Sequence, residues 1–245
     1  MTKVAAIILA GGEGKRMKTK NVNKVVLPLA NKQMILHSVE MLESLKIKPV
    51  IVVVGFAKKS VIDVLGKKVT YIEQKKRLGT AHAVNCALKK IGQDISDVLV
   101  LNGDDSAFYK QETILALIKK HNESVATITF LTIELDNPTG LGRVIRGNSE
   151  RVLAVVEDRD ASEEQRKIKE INPACYIFEL GFLHRNLRKI KKSEVSGEYY
   201  LTSLIDIAIK NNEKVEVLEG GILPWRGINT IEELKEAERL FAQTK

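Results

Sequence analysis

The chain has 245 residues, of which 44% are hydrophobic and 29% charged, and it contains no apolar run near the ~18 residues that cross a bilayer. This composition excludes a collagen, a coiled coil and a disordered chain, and the length suits one α/β domain with a full core. The net charge of +8 favours an anionic ligand such as nucleic acid, acidic lipid or phosphate. Cys86 and Cys175 form no disulfide framework and no secretory signal opens the chain, so we expect a cytoplasmic protein.

The first half of the chain alternates short apolar runs with amphipathic stretches. The predicted strands cover residues 4–9, 49–55, 97–101 and 125–135, and the predicted helices cover 33–45 and 80–91. Alternation of this kind predicts a Rossmann-like α/β fold, in which a mostly parallel sheet has helices on both faces.

The pattern changes from residue 136, where proline and glycine precede two short strand-like pieces at 143–146 and 152–157. These pieces predict a small, partly antiparallel lobe. Helices are predicted again at 182–190, 199–211 and 231–241. A capping box of Thr230 and Glu233 opens the last helix, and its predicted inward face is Ile231, Leu234, Ala237 and Phe241. Because no repeat or linker interrupts the chain, we expect a single domain over residues 1–245.

A glycine segment, Leu9-Ala10-Gly11-Gly12-Glu13-Gly14-Lys15-Arg16, follows the first strand directly. A glycine turn in this place lets backbone N–H groups approach phosphate oxygens. The segment is neither a Walker A loop, which Leu9 and Arg16 exclude, nor a dinucleotide fingerprint, which Met17 excludes. Five cations lie within ten residues: Lys15, Arg16, Lys18, Lys20 and Lys24. Taken alone, the segment is either a phosphate loop or a solvated basic loop.

Two other turns carry polar residues. Asn102-Gly103-Asp104-Asp105 ends a predicted strand, at the edge where open α/β sheets bind ligands. A carboxylate there can hold Mg²⁺ beside substrate phosphates, although Asp and Gly also suit an ordinary turn. Gln74 with Leu78-Gly79-Thr80 joins a strand to a helix, and alone it is typical of a helix N-cap.

Together these segments resemble the sugar-1-phosphate nucleotidylyltransferases, and within them the uridylyltransferase domains of the bifunctional N-acetylglucosamine-1-phosphate uridylyltransferases. The resemblance runs in order from about Val4 to Asn229 and includes the phrase Asp136-Asn137-Pro138-Thr139-Gly140. It implies the nucleotide-diphospho-sugar transferase fold. In that fold residues 1–135 mainly bind nucleotide, residues 136–228 mainly bind sugar, and residues 229–245 supply a metal-ligand turn and a helix.

The resemblance implies transfer of a uridylyl group from UTP to N-acetylglucosamine 1-phosphate with Mg²⁺ as cofactor. The residues it assigns to catalysis are Arg16 and Lys24, and those assigned to the metal are Asp104 and Asn229. The residues it assigns to the nucleotide are Leu9, Ala10, Gly11, Gly12, Gln74, Gly79 and Thr80. The residues it assigns to the sugar are Asn102, Gly142, Glu157, Asn172, Glu198 and Tyr199. A dianionic sugar phosphate needs no general base, so catalysis reduces to alignment and charge stabilisation.

Several positions depart from the family pattern. Asn172 is followed by Pro173-Ala174 where the family usually has Thr-Gly, which leaves the choice of sugar open. Other departures are Arg77, Asn102, Asp105-Ser106 and Ser203. Because the chain ends after one helix at Lys245, we expect no acetyltransferase activity and no coenzyme A binding.

Other interpretations stay open. The acceptor can be glucose 1-phosphate or another sugar 1-phosphate, and the donor can be dTTP. A catalytically inactive sugar-nucleotide-binding regulatory protein is a second alternative, against which the proposed catalytic and metal residues argue. A nucleic-acid-binding module is disfavoured by 5% aromatic residues and by the concentration of cations on one loop. We therefore expect a monomer or small homo-oligomer with no nucleic-acid or membrane partner.

Overall fold

The computed structural model describes residues 3–17, 19–221, 225 and 227–242. Lys18, one of the five cations noted above, lies outside the described residues, as do residues 243–245. The described strands are β1 (Val4–Ala10), β2 (Pro28–Leu29), β3 (Lys32–Gln33), β4 (Val50–Val54), β5 (Thr70–Glu73), β6 (Asp97–Asn102), β7 (Ile128–Glu134), β8 (Gly142–Arg146), β9 (Val152–Val156), β10 (Glu170–Asn172), β11 (Cys175–Glu179) and β12 (Val215–Glu219). The described α-helices are α1 (Met34–Ser44), α2 (Lys58–Leu65), α3 (Thr80–Ala87), α4 (Gln111–Ser124), α5 (Glu163–Arg166), α6 (Leu180–Asn186), α7 (Ser203–Lys210) and α8 (Ile231–Ala242).

Ten of the described strands form one sheet in the order β5-β4-β1-β6-β11-β7-β10-β8-β9, with β12 also paired to β7. The pairs β5–β4, β4–β1, β1–β6 and β7–β12 are parallel. Strand β11 is antiparallel to both β6 and β7, so those two neighbours point the same way. The predicted mostly parallel α/β sheet is confirmed.

The smaller antiparallel lobe is also confirmed. Strand β10 pairs antiparallel with the end of β7 and with β8, and β8 pairs antiparallel with β9. A register shift interrupts the β8–β9 ladder between Ile145 and Arg146. Separately, β2 and β3 form a two-stranded antiparallel ribbon.

Two buried clusters lie on opposite faces of the sheet. Successive residues of a strand point to opposite faces, and Ile7 of β1 accordingly joins one cluster while Ile8 joins the other. The Ile7 cluster contains apolar side chains of α3 and α6, and the Ile8 cluster contains those of α1 and α4. Helices therefore cover both faces, as the near-continuous apolar strands predict.

The helix predicted at 199–211 begins later than expected, and the helix predicted at 231–241 buries a different face. The helix predicted from Tyr199 begins at Ser203 because the backbone of Tyr199 pairs with Leu78 and Ala81, at the start of α3. In α8 the capping box is confirmed, since Glu233 N donates to Thr230 Oγ1 at 3.1 Å. Leu234, Ala237 and Phe241 pack into the cluster that contains Met34, whereas Ile231 is 47% exposed. The predicted inward position of Ile231 was wrong because the apolar stripe begins one turn into the helix.

Candidate active site

A cleft of about 870 Å³ opens beside the carboxyl ends of β1 and β6 and extends to the antiparallel lobe. The structure brings most of the sequence-predicted site residues to its wall. These are Leu9, Ala10, Gly11, Gly12, Arg16, Lys24, Gln74, Gly79, Thr80, Asn102, Asp104, Gly142, Glu157, Asn172, Glu198 and Asn229. Segments far apart in sequence thus line one cavity of a size that suits a small-molecule ligand.

The glycine loop after β1 is fastened by a buried asparagine. The side-chain Nδ2 of Asn23 lies 3.0 Å from Ala10 O, 3.2 Å from Gly12 O and 2.8 Å from Phe56 O, and it donates to these carbonyls. Its Oδ1 accepts from Val25 N at 3.2 Å, which caps the short 3₁₀ turn that carries Lys24. One side chain therefore holds the loop and positions the following lysine.

The ammonium of Lys24 lies among three oxygen atoms. It forms a largely buried ion pair with Asp104 Oδ2, and it donates to Asn229 Oδ1 at 2.9 Å and to Ile228 O at 3.1 Å. Asp104 follows β6, while Asn229 lies two residues before the start of α8 and donates its N–H to Glu233 Oε2 at 2.7 Å. The capping box of α8 therefore positions one member of this cluster.

These oxygens fit the donor set of Mg²⁺. A carboxylate, an amide oxygen and a backbone carbonyl converge on one cationic point, and Mg²⁺ uses one or two such protein ligands beside substrate phosphates. Within the described part of the chain, no three His, Cys, Asp or Glu side chains are grouped as a metal site of their own. Asp104 and Asn229 are the residues that would hold the ion.

Gln74 and Gly79 form a polar edge on another wall of the cleft. Gln74 follows β5 and is buried, and its Nε2 donates to Gly79 O at 3.0 Å and to His82 Nδ1 at 3.0 Å. Gly79 has φ of 105°, and a Cβ atom there would lie 2.5 Å from Tyr199 O, so this position requires glycine. The residue must keep this backbone shape for its carbonyl to meet Gln74.

Hydrogen bonds of Tyr199 and Thr80 hold the turn that contains Gly79 in place. Tyr199 is not among the residues that line the cleft, and its backbone instead donates to Leu78 O at 2.8 Å and accepts from Ala81 N at 3.0 Å. Thr80 lines the cleft, and its hydroxyl accepts from Leu201 N at 2.8 Å. The segment before α7 therefore fixes the turn before α3.

Glu157 is an acidic residue of the antiparallel lobe that lines the cleft. Its Oε1 accepts from Thr202 Oγ1 at 2.9 Å, and a Cβ atom at Gly142 would lie 3.7 Å from its Oε2. Burial raises the pKa of the Glu157 carboxyl above its ordinary value, and the neighbouring carboxylates of Asp160 and Glu198 add to this. A polar ligand with hydroxyl groups would satisfy this carboxylate.

Asn172 is tied to its neighbours at both ends of its amide. Its Nδ2 donates to the Tyr176 hydroxyl and its Oδ1 accepts from Ala174 N at 3.1 Å. Ala174 has a left-handed φ of 56°, which glycine adopts more readily. The Pro173-Ala174 departure is therefore accommodated with the backbone shape that a glycine would favour.

Asp105 is buried behind the metal-candidate residue Asp104. Its Oδ2 accepts from Asn102 Nδ2 at 3.3 Å, and its Oδ1 has no partner among the described residues. Burial, and next the neighbouring Asp104 carboxylate, raise the pKa of the Asp105 carboxyl well above its ordinary value. Asn102 is therefore partly engaged in holding Asp105.

Charged side chains surround the mouth of the cleft. Arg16 lies on the 3₁₀ turn Lys15–Met17 and is exposed. Arg77 pairs with Glu13 at 2.9 Å, which links the glycine loop to the Gln74 segment. Arg159 and Glu198 line the end formed by the antiparallel lobe and the segment before α7. Cations near the glycine loop favour a phosphorylated ligand.

The chain is similar to known proteins along nearly its whole length. Residues 5–244 match the family model described as "Nucleotidyl transferase". The chain belongs to the nucleotidyl transferase family. It is 44% identical over 240 residues to Bifunctional protein GlmU of Caldicellulosiruptor saccharolyticus, covering 97% of this chain and 51% of that protein. It is 41% identical over 210 residues to Bifunctional protein GlmU of Exiguobacterium sibiricum, covering 86% and 46% respectively.

This nucleotidyl transferase spans about half the length of those curated relatives. Among solved structures, it superposes with a TM-score of 0.79 on a chain described as a glucose-1-phosphate thymidylyltransferase from Bacillus anthracis in complex with a sucrose. The two chains are 22% identical, and the match covers 97% of this chain and 94% of the other. This likeness supports the fold assignment.

Three side chains that position the site of this nucleotidyl transferase were not predicted from the sequence: Asn23, His82 and Thr202. The Asn before Lys24 offered a signal, because Asn is a favoured cap residue. His82 and Thr202 contact residues of the site only through the tertiary fold. Separately, no helix in the described ranges is both long and apolar enough to cross a membrane.

Proposed function

We propose that this nucleotidyl transferase transfers a uridylyl group from UTP to N-acetylglucosamine 1-phosphate, giving UDP-N-acetylglucosamine and pyrophosphate. The observation that carries the proposal is the cluster of Lys24, Asp104 and Asn229 inside a cleft that the glycine loop also lines. A cation, hard oxygen donors and glycine backbone together suit a triphosphate. The uridylyl group and the acetylated sugar rest on the resemblance to uridylyltransferase domains and on identities of 41–44% to GlmU proteins.

In the proposed reaction a phosphate oxygen of the sugar 1-phosphate attacks the α-phosphorus of UTP. An O–P bond forms on one side of the phosphorus while the bond to the β-phosphate bridging oxygen breaks on the other, and pyrophosphate leaves with that oxygen. The attacking phosphate is largely dianionic at neutral pH, so no side chain has to remove a proton. The chain's task is to align the reactants and to stabilise charge.

Arg16 and Lys24 supply that charge stabilisation in the proposal. Arg16 lies on the glycine loop and Lys24 lies after it, and both line the cleft. Arg16 is exposed, whereas Lys24 has to leave the Asp104 carboxylate to act where charge shifts during the transfer. Mg²⁺ held by Asp104 and Asn229 would add Lewis-acid neutralisation of the phosphate oxygens. The chain's own contribution is to hold Asp104 and Asn229 next to the lysine.

Glu157, Asn172 and Gly142 form the proposed sugar pocket. The Glu157 carboxylate and the Asn172 amide lie on the antiparallel lobe, and both have protein partners that fix their orientation. Oriented carboxylate and amide groups suit the hydroxyl and N-acetyl groups of the sugar. Glucose 1-phosphate is a second candidate acceptor, because the Pro173-Ala174 departure from the family pattern leaves the choice of sugar open. The donor in this second candidate reaction is dTTP, because thymine has the same imide edge as uracil.

The proposal is tested by measuring pyrophosphate release over a grid of nucleoside triphosphates and sugar 1-phosphates with Mg²⁺ present. We expect UTP with N-acetylglucosamine 1-phosphate to give the highest kcat/KM. Equal use of ATP would refute the uridylyl assignment, and a preference for glucose 1-phosphate with dTTP would replace it by the second candidate. If no pair releases pyrophosphate while UTP still binds, the chain is a sugar-nucleotide-binding regulatory protein.

A further inference from the structure

The amide of Gln74 has one orientation, and its neighbours determine which. Its nitrogen Nε2 lies 3.0 Å from Gly79 O. A backbone carbonyl only accepts hydrogen bonds, so the NH₂ end of the amide must face Gly79. A rotated amide would place Oε1 against this carbonyl, and the two oxygens would repel each other.

His82 takes the second hydrogen of the same nitrogen. Gln74 Nε2 is 3.0 Å from His82 Nδ1, and since the amide nitrogen is the donor, Nδ1 must offer a lone pair. The ring proton of His82 is then on Nε2, which lies 4.0 Å from Cys86 Sγ, one turn further along α3. Burial lowers the pKa of His82, which agrees with a neutral imidazole in this role.

The remaining atom of the amide, Oε1, faces the ligand side. A Cβ atom at Gly11 would lie 3.1 Å from Gln74 Oε1, and Gly11 and Gln74 both line the cleft. The described residues provide no donor to Oε1, and the N–H of Gly79 has no acceptor among them. The wall therefore presents a fixed acceptor and a fixed donor to the ligand.

We propose that His82 is a positioning residue that locks the Gln74 amide and thereby sets which nucleobase the site accepts. This inference rests on the proposed uridylyl transfer. Uracil can direct its N3–H at Gln74 Oε1 and a neighbouring carbonyl at the Gly79 N–H. Cytosine in the same position directs the N3 lone pair at Oε1, and the locked amide cannot rotate to offer a donor instead.

The experiment compares His82→Leu, which removes the acceptor, with His82→Asn, whose Oδ1 can take the place of Nδ1. The exposed histidine variant His184→Leu is the matched control. We expect His82→Leu to raise the KM for UTP roughly tenfold and to reduce the UTP-to-CTP preference by a similar factor, since one buried donor loses its partner. We expect kcat and the KM for the sugar phosphate to change little, and His82→Asn and His184→Leu to resemble the wild type.

An unchanged UTP-to-CTP preference in His82→Leu would overturn the inference, as would an equal defect in His82→Asn. Histidine ¹⁵N chemical shifts of the wild type provide a test that does not depend on the variants folding. They are expected to show His82 with its proton on Nε2, and a proton on Nδ1 would contradict the proposal. Absence of UTP turnover in the wild type would refute the proposed function instead. In that case the UTP affinities of the two His82 variants, measured by calorimetry, would still test the role of His82.

Discussion

The ammonium of Lys24 is paired with the carboxylate of Asp104, and it also donates to Asn229 Oδ1 at 2.9 Å. The two residues proposed as metal ligands are thus held by a cation that belongs to the chain itself. A divalent ion and Lys24 would compete for the same oxygens, so the lysine must release them when the ion binds.

Replacement of Lys24 by Met is therefore expected to strengthen binding of a divalent ion in the absence of nucleotide. Both the freed oxygens and the loss of a nearby positive charge favour the ion, and we expect at least roughly tenfold tighter binding. Mn²⁺ titration followed by electron paramagnetic resonance measures this directly, with Lys20→Met as the control for loss of an exposed cation. Equal or weaker Mn²⁺ binding in Lys24→Met would show that the lysine does not occupy the metal position.

Arg16 is expected to act in catalysis and not in folding. It is exposed, so Arg16→Ala should leave thermal unfolding unchanged and lower kcat by roughly 10²–10³, the scale on which one charge-stabilising donor acts. Steady-state kinetics with UTP, compared with Lys20→Ala, separate kcat from KM. A large rise in KM at unchanged kcat would mean that Arg16 only holds the triphosphate.

Asn23 is expected to be a stability residue as well as a site residue. Asn23→Ala leaves the carbonyls of Ala10, Gly12 and Phe56 without their shared donor, which costs about 1–3 kcal/mol of unfolding free energy. Urea denaturation measures this cost, and exposed Asn148→Ala is the control. Because the glycine loop loses its fastening, the KM for UTP should rise in Asn23→Ala alone. A variant as stable as the wild type would contradict the role assigned to these hydrogen bonds.

Glu157 gives a pH dependence whose sign follows from burial. Its carboxyl has a pKa raised above the ordinary 4.5, so the folded state favours the protonated form. The stability that this proton gives is fully present below pH 4.5 and is lost as pH rises through the raised value. Glu157→Gln removes this titration. The unfolding free energy of the variant should therefore increase relative to that of the wild type as pH rises over this range. Parallel pH profiles in urea denaturation would show that Glu157 is not destabilised by burial.

Much of this arrangement could be predicted because it depends on local pattern. The apolar run of β1 and the glycine segment after it are contiguous in the sequence. The turn after β6 was predicted to lie at the same sheet edge as the end of β1, and there Gly103 N donates to Leu9 O at 3.0 Å. The capping box of α8 is likewise local. The roles of the individual residues in binding and catalysis stay predictions.

Contacts between distant segments could not be predicted in this way. Asn23 fastens carbonyls from residues 10, 12 and 56, which become neighbours only when β1 and β4 pair. Tyr199 belongs to a stretch whose pattern predicts a helix. Its backbone instead forms hydrogen bonds with Leu78 and Ala81, because Gly79 has no Cβ atom and lets the Tyr199 backbone come close. In both cases tertiary hydrogen bonds override the local signal.

Transfer of the uridylyl group of UTP to N-acetylglucosamine 1-phosphate within one cleft is the reaction that we propose. Its most direct measurement follows the label from [α-³²P]UTP during incubation with N-acetylglucosamine 1-phosphate and Mg²⁺, with separation of the products by chromatography. The proposed transfer puts the label in UDP-N-acetylglucosamine with one pyrophosphate released per labelled product, and Asp104→Ala is expected to abolish both. Label that stays in UTP, or that appears only in UMP, would contradict it.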